Sequence, residues 1–183
     1  RCGSLGNKHD TLCKELYKKQ FAKLFGKAYS VRYHAGGLRE AKTKSFSEEG
    51  TIMKALVLTG IKQFEIQELD TPEIQPNEVL INTAYAGVCG TDHDLYAGRP
   101  GSAPAVPPII LGHENSGVVA AIGSEVTNVK VGDRVAVDPN IYCGQCEYCL
   151  TQRPELCDHL SAVGVTRNGG LACLLYTSPS PRD

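Results

Sequence analysis

The chain lacks any apolar run that approaches the roughly 20 residues a membrane-spanning helix needs. It also does not open with a charged stub, an apolar stretch and a small-residue cleavage site, which together are typical of a secretory signal. We therefore expect no membrane partner and a cytoplasmic location. In a reducing compartment, the 8 cysteines are more typical of metal ligands than of disulfides.

The chain also has little net charge, −1, but that charge is unevenly distributed. Residues 1–52 hold 11 Lys and Arg against 5 Asp and Glu, whereas residues 53–172 hold 7 against 14. An acidic segment repels a phosphate backbone, so residues 53–172 are not expected to bind nucleic acid. The two segments are different kinds of sequence.

The only methionine, Met53, lies where the basic stretch ends and strand-like patterns begin. Residues 47–50, Ser-Glu-Glu-Gly, fit the translation of a purine-rich ribosome-binding site ahead of a bacterial start codon. We therefore interpret residues 1–52 as a translated leader or a disordered extension. The alternative is a real basic extension with a helix, because apolar residues between positions 12 and 25 recur at spacings of three to five.

At the other end, residues 173–183 resemble the translation of a common sequencing transposon adapter at all eleven codons. This match predicts that the native sequence ends at or near Ala172 and that the last eleven residues are an artefact. The alternative is a genuine tail rich in Ser and Pro.

Between these limits the pattern predicts a mainly β domain. Five segments rich in β-branched and apolar residues are separated by Pro, Gly and Asn turns. The predicted strands are Lys54–Thr59, Phe64–Leu69, Glu78–Val88, Ser116–Ile122 and Arg134–Val137. The connection at residues 99–108 contains four prolines and is predicted to be a surface loop.

Four cysteines lie close together in a lobe at residues 139–160. They are Cys143, Cys146, Cys149 and Cys157. Four thiolates in one short loop predict a closed, structural zinc site. Ferredoxin-type clusters are the main alternative, but they place the fourth cysteine three residues on and follow it with proline, whereas Asp158 follows here. A nucleic-acid zinc finger needs more basic neighbours than the lobe offers, and disulfides are a minor alternative.

Two further motifs are Cys89-Gly90-Thr91-Asp92-His93 and Gly112-His113-Glu114. Singly, such Cys and His residues are more often ordinary buried or hydrogen-bonded residues than ligands. Together they supply a thiolate and an imidazole at the ends of strand-like segments, with carboxylates and a hydroxyl beside them. This combination predicts a catalytic zinc, which keeps one position open for water or substrate.

The motifs together resemble the medium-chain, zinc-dependent alcohol dehydrogenases. The shared elements are Gly112-His113-Glu114-x2-Gly117-x5-Gly123-x2-Val126, the Cys-Gly-Thr-Asp element at Cys89 and the lobe spacing. The resemblance covers residues 53–172 and implies a GroES-like β-barrel domain, which in the family packs against a Rossmann domain. No Gly-x-Gly-x-x-Gly follows a strand, so we expect the Rossmann domain to be absent from this chain.

The resemblance also implies roles around the catalytic zinc. Cys89 and His113 correspond to zinc ligands, and Glu114 to a residue near the metal that is sometimes a ligand. Asp92 corresponds to a buried carboxylate that orients the ligand imidazole. A third protein ligand, Cys or Glu in the family, is expected beyond Ala172.

Two residues correspond to proton-transfer groups of the family. Thr91 matches the hydroxyl that takes the alcohol proton. His93 matches the proton-relay histidine less closely, because many relatives place it one position later, where this chain has Asp94. A surface-loop role for His93 is the alternative.

The resemblance implies an oxidoreductase that oxidises a secondary alcohol or polyol and transfers hydride to NAD or NADP, with one catalytic and one structural zinc. The motifs are most similar to the polyol, threonine and butanediol dehydrogenase branch. We expect a homo-oligomer when the enzyme is complete, and no activity from this chain alone. The alternatives are a zinc-free quinone-oxidoreductase-like reductase, which lacks such cysteines, and a non-enzymatic GroES-like binding module with one zinc.

Overall fold

The structure is a computed structural model that describes residues 52–99 and 105–178. The described residues form nine strands, two short α-helices and one 3-10 helix. The strands are β1 (Ile52–Gly60), β2 (Gln63–Asp70), β3 (Val79–Ala86), β4 (Ile109–Ile110), β5 (Asn115–Ile122), β6 (Arg134–Ala136), β7 (Asn140–Ile141), β8 (Ser161–Ala162) and β9 (Leu174–Thr177). The helices are α1 (Gly90–Tyr96), α2 (Glu147–Leu150) and the 3-10 helix Pro154–Leu156.

The strands form three antiparallel sheets. Their orders are β2-β1-β4, β6-β5-β3-β9 and β7-β8. The predicted mainly β fold is confirmed, and each of the five predicted strands is present with its ends shifted by a few residues at most. Three of the strands that the sequence did not predict are only two residues long, which is too short for a periodic pattern to be recognised.

The remaining unpredicted strand, β9, lies inside the segment that we interpret as adapter-derived. It pairs with β3, and its Leu174 and Leu175 side chains are buried. Strand pairing needs only backbone groups and suitable apolar side chains, so this pairing does not test the origin of the residues. The limit at Ala172 and the interpretation of residues 173–183 stay predictions.

The core is apolar and includes residues of both larger sheets. Its largest fully buried apolar side chains are Leu56, Leu58, Leu111, Val119, Val163, Leu171 and Leu175. Each such side chain stabilises the fold by about 1.5–3 kcal/mol relative to an exposed one. One buried cluster consists of Val79, Ile81 and Val126, with the partly buried Val129, Val135 and Val137 packed against it. The core thus fixes the ends of β3, β4 and β5, from which the site residues project.

Two predictions concern the segments outside regular structure. Residues 105–108 are irregular and mostly exposed, in agreement with the predicted surface loop, while residues 100–104 lie outside the described part. The leader interpretation, and the helix considered as its alternative, likewise fall outside the described residues. In the described part of the chain, no helix is long and apolar enough to cross a membrane.

Candidate metal centres

The first site begins where β3 passes into α1. Cys89 is the residue before the helix, and its backbone N–H donates to Oδ2 of Asp92 at 2.8 Å. This bond satisfies one backbone donor and closes the first turn of the helix. It also turns Asp92 inward, where the side chain is 0% exposed. The short helix therefore places Cys89 and a buried carboxylate on the same side of the domain.

The second part of the site is the turn between β4 and β5. Gly112 has φ +94°, a conformation that favours glycine, and its N–H donates to Oδ1 of Asp92 at 3.2 Å. His113 follows directly, and its Nδ1 atom lies 3.5 Å from the same Oδ1. Asp92 thus connects the Cys89 segment to the His113 segment.

The Asp92–His113 contact is electrostatic in this structure. Nδ1 of His113 is buried and makes no hydrogen bond of good geometry, although it lies within ion-pair distance of Asp92. An imidazole whose Nδ1 faces a carboxylate has its Nε2 available for a metal. The orphaned Nδ1 is therefore consistent with a ligand histidine whose ring is oriented by Asp92.

Burial dominates the electrostatics of Asp92. It raises the pKa of the carboxyl group, while the N–H of Cys89, the charge of His113 and the N–H of Gly112 act in the opposite direction. Desolvation disfavours the charged form of a carboxyl group, whereas a nearby positive charge favours it. A cation bound at His113 would consequently favour the ionised form of Asp92.

Three donor groups converge beside this pair. A thiol sulfur of Cys89, an imidazole nitrogen of His113 and a carboxylate oxygen of Glu114 all lie within 4.8 Å of one another. Sulfur, nitrogen and oxygen are the donor types of catalytic zinc sites. The structure therefore brings together the three residues predicted to hold the catalytic zinc.

Glu114 reaches this position because residue 87 is glycine. The N–H of Gly87 donates to the backbone carbonyl of Glu114 at 2.6 Å. A Cβ atom at position 87 would lie 2.9 Å from Cβ of Glu114 and would also overlap its carboxylate. An open cavity of about 550 Å³ is lined by His113 and Glu114, together with Tyr85, Val137 and Pro139. The site can thus admit a small molecule.

The two predicted proton-transfer residues lie on α1. Oγ1 of Thr91 is 3.7 Å from Sγ of Cys89, so its hydroxyl lies beside the donor group. Nδ1 of His93 lies 3.6 Å from Oδ1 of Asp94, and the His93 side chain is 29% exposed. His93 does not belong to the donor group. The roles of both residues stay predictions.

The second site is the four-cysteine lobe. The sulfur atoms of Cys146 and Cys149 are 3.5 Å apart, those of Cys143 and Cys149 3.9 Å, and those of Cys146 and Cys157 4.0 Å. A tetrahedral zinc with Zn–S bonds of about 2.3 Å has sulfur–sulfur separations of about 3.8 Å. The four thiols therefore fit a tetrahedral zinc ion.

Backbone N–H groups also point at these sulfur atoms. Cys143 and His159 each donate to Sγ of Cys157 at 3.4 Å, and Cys146 donates to Sγ of Cys143 at 3.4 Å. These bonds tie two of the four sulfur atoms to the backbone of the lobe. Neither α2 nor the 3-10 helix buries a side chain. A metal would supply the cohesion that the lobe lacks as an apolar core.

The thiols of Cys146 and Cys149 differ in acidity. The backbone N–H groups of Cys149 and Asp158 lower the pKa of Cys146 to about 6. Burial, followed by the interaction with Cys146, raises the pKa of Cys149 to about 12. The two sulfur atoms lie 3.5 Å apart, so the ionisations of the two thiols are coupled.

Sequence reasoning missed two contributors to the first site. Gly87 makes room for Glu114, and Asn115 donates from Nδ2 to the carbonyl of Gly112 at 2.9 Å. Asn115 occupies a variable position of the Gly-His-Glu signature, so the motif did not single it out. Gly87 precedes the Cys-Gly-Thr-Asp element, and its partner lies 27 positions later in the chain.

Comparisons with known proteins agree with this geometry. Residues 75–180 match the Alcohol dehydrogenase GroES-like domain family. The chain is 46% identical over 106 residues to sorbitol dehydrogenase of Bacillus subtilis, covering 57% of this chain and 30% of that protein. It is 39% identical over 131 residues to a protein named Probable D-xylulose reductase A from Aspergillus clavatus, covering 70% and 36%.

A solved structure of an alcohol dehydrogenase is also similar to this chain. The cobalt and zinc bound thermostable alcohol dehydrogenase from Pyrobaculum aerophilum aligns with a TM-score of 0.63 at 35% identity, covering 70% of this chain and 40% of that one. The chain spans about a third of the length of the curated relatives it matches. The predicted GroES-like fold is thereby confirmed, and the chain belongs to the alcohol dehydrogenase family that carries a GroES-like domain.

Proposed function

We propose that this chain is the catalytic domain of a zinc-dependent oxidoreductase that oxidises a secondary alcohol or polyol with NAD or NADP. The observation that carries the proposal is the convergence of Cys89, His113 and Glu114, the last two of which line an open cavity. The relatives named sorbitol dehydrogenase and D-xylulose reductase support a polyol substrate. The nicotinamide cofactor belongs to a part of the enzyme outside this chain.

We further propose two zinc sites. Cys89, His113 and Glu114 hold one ion, and Cys143, Cys146, Cys149 and Cys157 hold the other. Zinc at the first site supplies a Lewis acid, which makes an alcohol hydroxyl easier to deprotonate. Zinc at the second site takes the place of an apolar core in the lobe.

The chain's own residues orient the first site and move the proton. The carboxylate of Asp92 lies 3.5 Å from Nδ1 of His113 and orients the ring electrostatically, so that the other nitrogen faces the donor group. The hydroxyl of Thr91, beside Cys89, accepts the alcohol proton while it releases its own proton towards solvent. His93, half-buried on the same helix, passes that proton to solvent. The complete enzyme acts on a small-molecule substrate and forms a homo-oligomer.

The direct test uses the complete enzyme, recovered by extending the reading frame in the source DNA. We expect NAD or NADP reduction with sorbitol, xylitol or 2,3-butanediol, loss of activity on zinc chelation, and recovery when zinc is restored. The variant His113→Ala should be inactive, while this 183-residue chain alone should give no activity.

Two results would count against the proposal. Turnover that survives removal of all zinc would favour the zinc-free quinone-oxidoreductase-like alternative. A complete reading frame without a nucleotide-binding domain, and without any alcohol-dependent cofactor reduction, would favour the binding-module alternative.

A further inference from the structure

We propose that Asn115 is a positioning residue for the metal ligand His113, acting through the backbone of Gly112. The inference rests on the proposed function, because it concerns the metal site of that function. It is not implied by the family signature, in which position 115 is variable. In this proposal, the Asn115 side chain sets the orientation of the peptide group between Gly112 and His113.

The backbone of Gly112 is held on both sides. Its N–H donates to Oδ1 of Asp92 at 3.2 Å. Its carbonyl accepts from Nδ2 of Asn115 at 2.9 Å and from the N–H of Gly170 at 2.9 Å. The peptide plane between Gly112 and His113 contains this carbonyl, so the two donors fix the direction in which His113 leaves the turn.

Glycines on the neighbouring loop make this arrangement possible. A Cβ atom at Gly164 or Gly169 would overlap the carbonyl of Gly112. A Cβ atom at Gly170 would overlap the amide of Asn115. The loop that follows β8 is thus packed directly on the bond between Asn115 and Gly112, and residue 170 must be glycine for Asn115 to reach the carbonyl.

The energetics favour positioning over simple packing. Asn115 is 6% exposed, and its Oδ1 atom is buried without a hydrogen-bond partner. An unpaired buried amide oxygen costs stability, and an apolar side chain of similar size would avoid that cost. Nδ2 of Asn115 makes a hydrogen bond to the carbonyl of Gly112, whereas Oδ1 of the same amide has no partner. Such a local cost is typical of residues retained for a site.

Thr83 provides a matched control within the same sheet. Its Oγ1 is also buried without a partner, and the residue is 7% exposed. Thr83 lies on β3, where it pairs with Gly117, two positions beyond Asn115 along β5. The variants Asn115→Leu and Thr83→Val each replace a partly unsatisfied polar side chain with an apolar one of similar size.

The test measures the zinc affinity of the complete enzyme by competition with a chromogenic chelator, with the lobe site as an internal reference. We expect Asn115→Leu to weaken binding at the Cys89–His113–Glu114 site about tenfold or more, as removal of residues behind metal ligands does. Binding at the lobe should be unchanged. Thr83→Val should leave both affinities unchanged.

Cobalt(II) substitution adds a second readout that a packing role would not change. The difference spectrum between each protein and its His113→Ala form isolates the visible bands of the first site. We expect these bands to shift or broaden in Asn115→Leu and to match the wild type in Thr83→Val. The isosteric Asn115→Asp, which has no donor for the Gly112 carbonyl when ionised, should behave like Asn115→Leu.

The outcomes separate this inference from the proposed function. A wild-type chain that binds zinc only at the lobe contradicts the proposed function itself. A wild-type chain with two zinc ions, combined with unchanged affinity and unchanged cobalt bands in Asn115→Leu, overturns the role of Asn115. If Asn115→Leu does not fold, Gly170→Ala applies the same test, because its Cβ displaces the Asn115 amide. Unchanged affinity in that variant also overturns the proposal.

Discussion

Oδ1 of Asp92 lies 3.5 Å from Nδ1 of His113, and the Asp92 side chain is fully buried. The same carboxylate accepts hydrogen bonds from the backbone N–H groups of Cys89 and Gly112. One side chain therefore joins the segments that bring two of the three donors together. Asp92 is accordingly the residue behind the ligands whose replacement should disturb the first metal site most.

We predict that Asp92→Asn weakens zinc binding at the first site by about 10- to 100-fold, because the imidazole loses its charged partner. Competition titration on the complete enzyme measures this change. The control is Asp94→Asn on the same helix, where the side chain is 43% exposed and pairs with His93 and Arg99. Equal affinities in the Asp92 and Asp94 variants would refute the orienting role.

Gly87 provides a second prediction. The variant Gly87→Ala should displace the carboxylate of Glu114 and weaken zinc binding at the first site as much as Glu114→Gln does. The control is Gly90→Ala in α1, where a Cβ atom meets nothing within 4 Å, so zinc binding should be preserved. If Gly87→Ala binds zinc as tightly as the wild type, Glu114 is not held against the metal in the way we describe.

Thr91 is tested in the complete enzyme. Thr91→Val keeps the shape of the side chain but removes the hydroxyl, so turnover should fall by about 100-fold or more while zinc content stays at the wild-type value. Thr91→Ser retains the hydroxyl and should keep most of the activity. Steady-state kinetics and elemental analysis of the same samples give both numbers, and near-normal turnover in Thr91→Val would rule out the proton-transfer role.

The fold was largely predictable because its strands carry regular patterns. Segments such as Phe64–Leu69 and Ser116–Ile122 are bounded by turn residues, and the structure has strands there. Strand β4, Ile109–Ile110, was not predictable, because it is two residues long and defined only by pairing with Val57 and Leu58. Pairing between distant segments is a tertiary property that a local pattern does not contain.

The site likewise contains residues that were predictable from the sequence and residues that were not. Cys89, His113 and the lobe cysteines were predictable because metal ligands recur at fixed spacings and in fixed motifs. Asn115 and Gly87 were not, because their roles depend on what the fold places beside them. The Asn115 side chain donates a hydrogen bond to the carbonyl of Gly112 and lies close to Gly170, which is 55 positions away in the chain.

The unequal thiols of the lobe lead to a prediction for the metal-free chain. Ultraviolet thiolate absorbance should show one ionisation near pH 6, from Cys146, and another that is delayed to about pH 12, from Cys149. The variant Cys146→Ser should remove the first step, whereas Cys173→Ser, outside the lobe, should leave it in place. A titration in which every thiol ionises near pH 9 would contradict the asymmetry.

These shifts affect stability in opposite senses. The lowered pKa of Cys146 stabilises the folded lobe above the ordinary thiol value of 9.0, and this contribution is lost as the pH falls through about 6. The raised pKa of Cys149 stabilises the lobe below 9.0, and that contribution is lost as the pH rises through about 12. Chemical unfolding of the metal-free chain across this range checks both signs.

The number of zinc ions bound per chain tests the central claim most directly. Native mass spectrometry of the complete enzyme, after equilibration with zinc and removal of excess metal, should give two ions per chain. His113→Ala should retain one, and the four-cysteine site should hold it. A wild-type chain with fewer than two zinc ions, or a His113→Ala variant that still binds two, would contradict a catalytic metal centre at Cys89, His113 and Glu114.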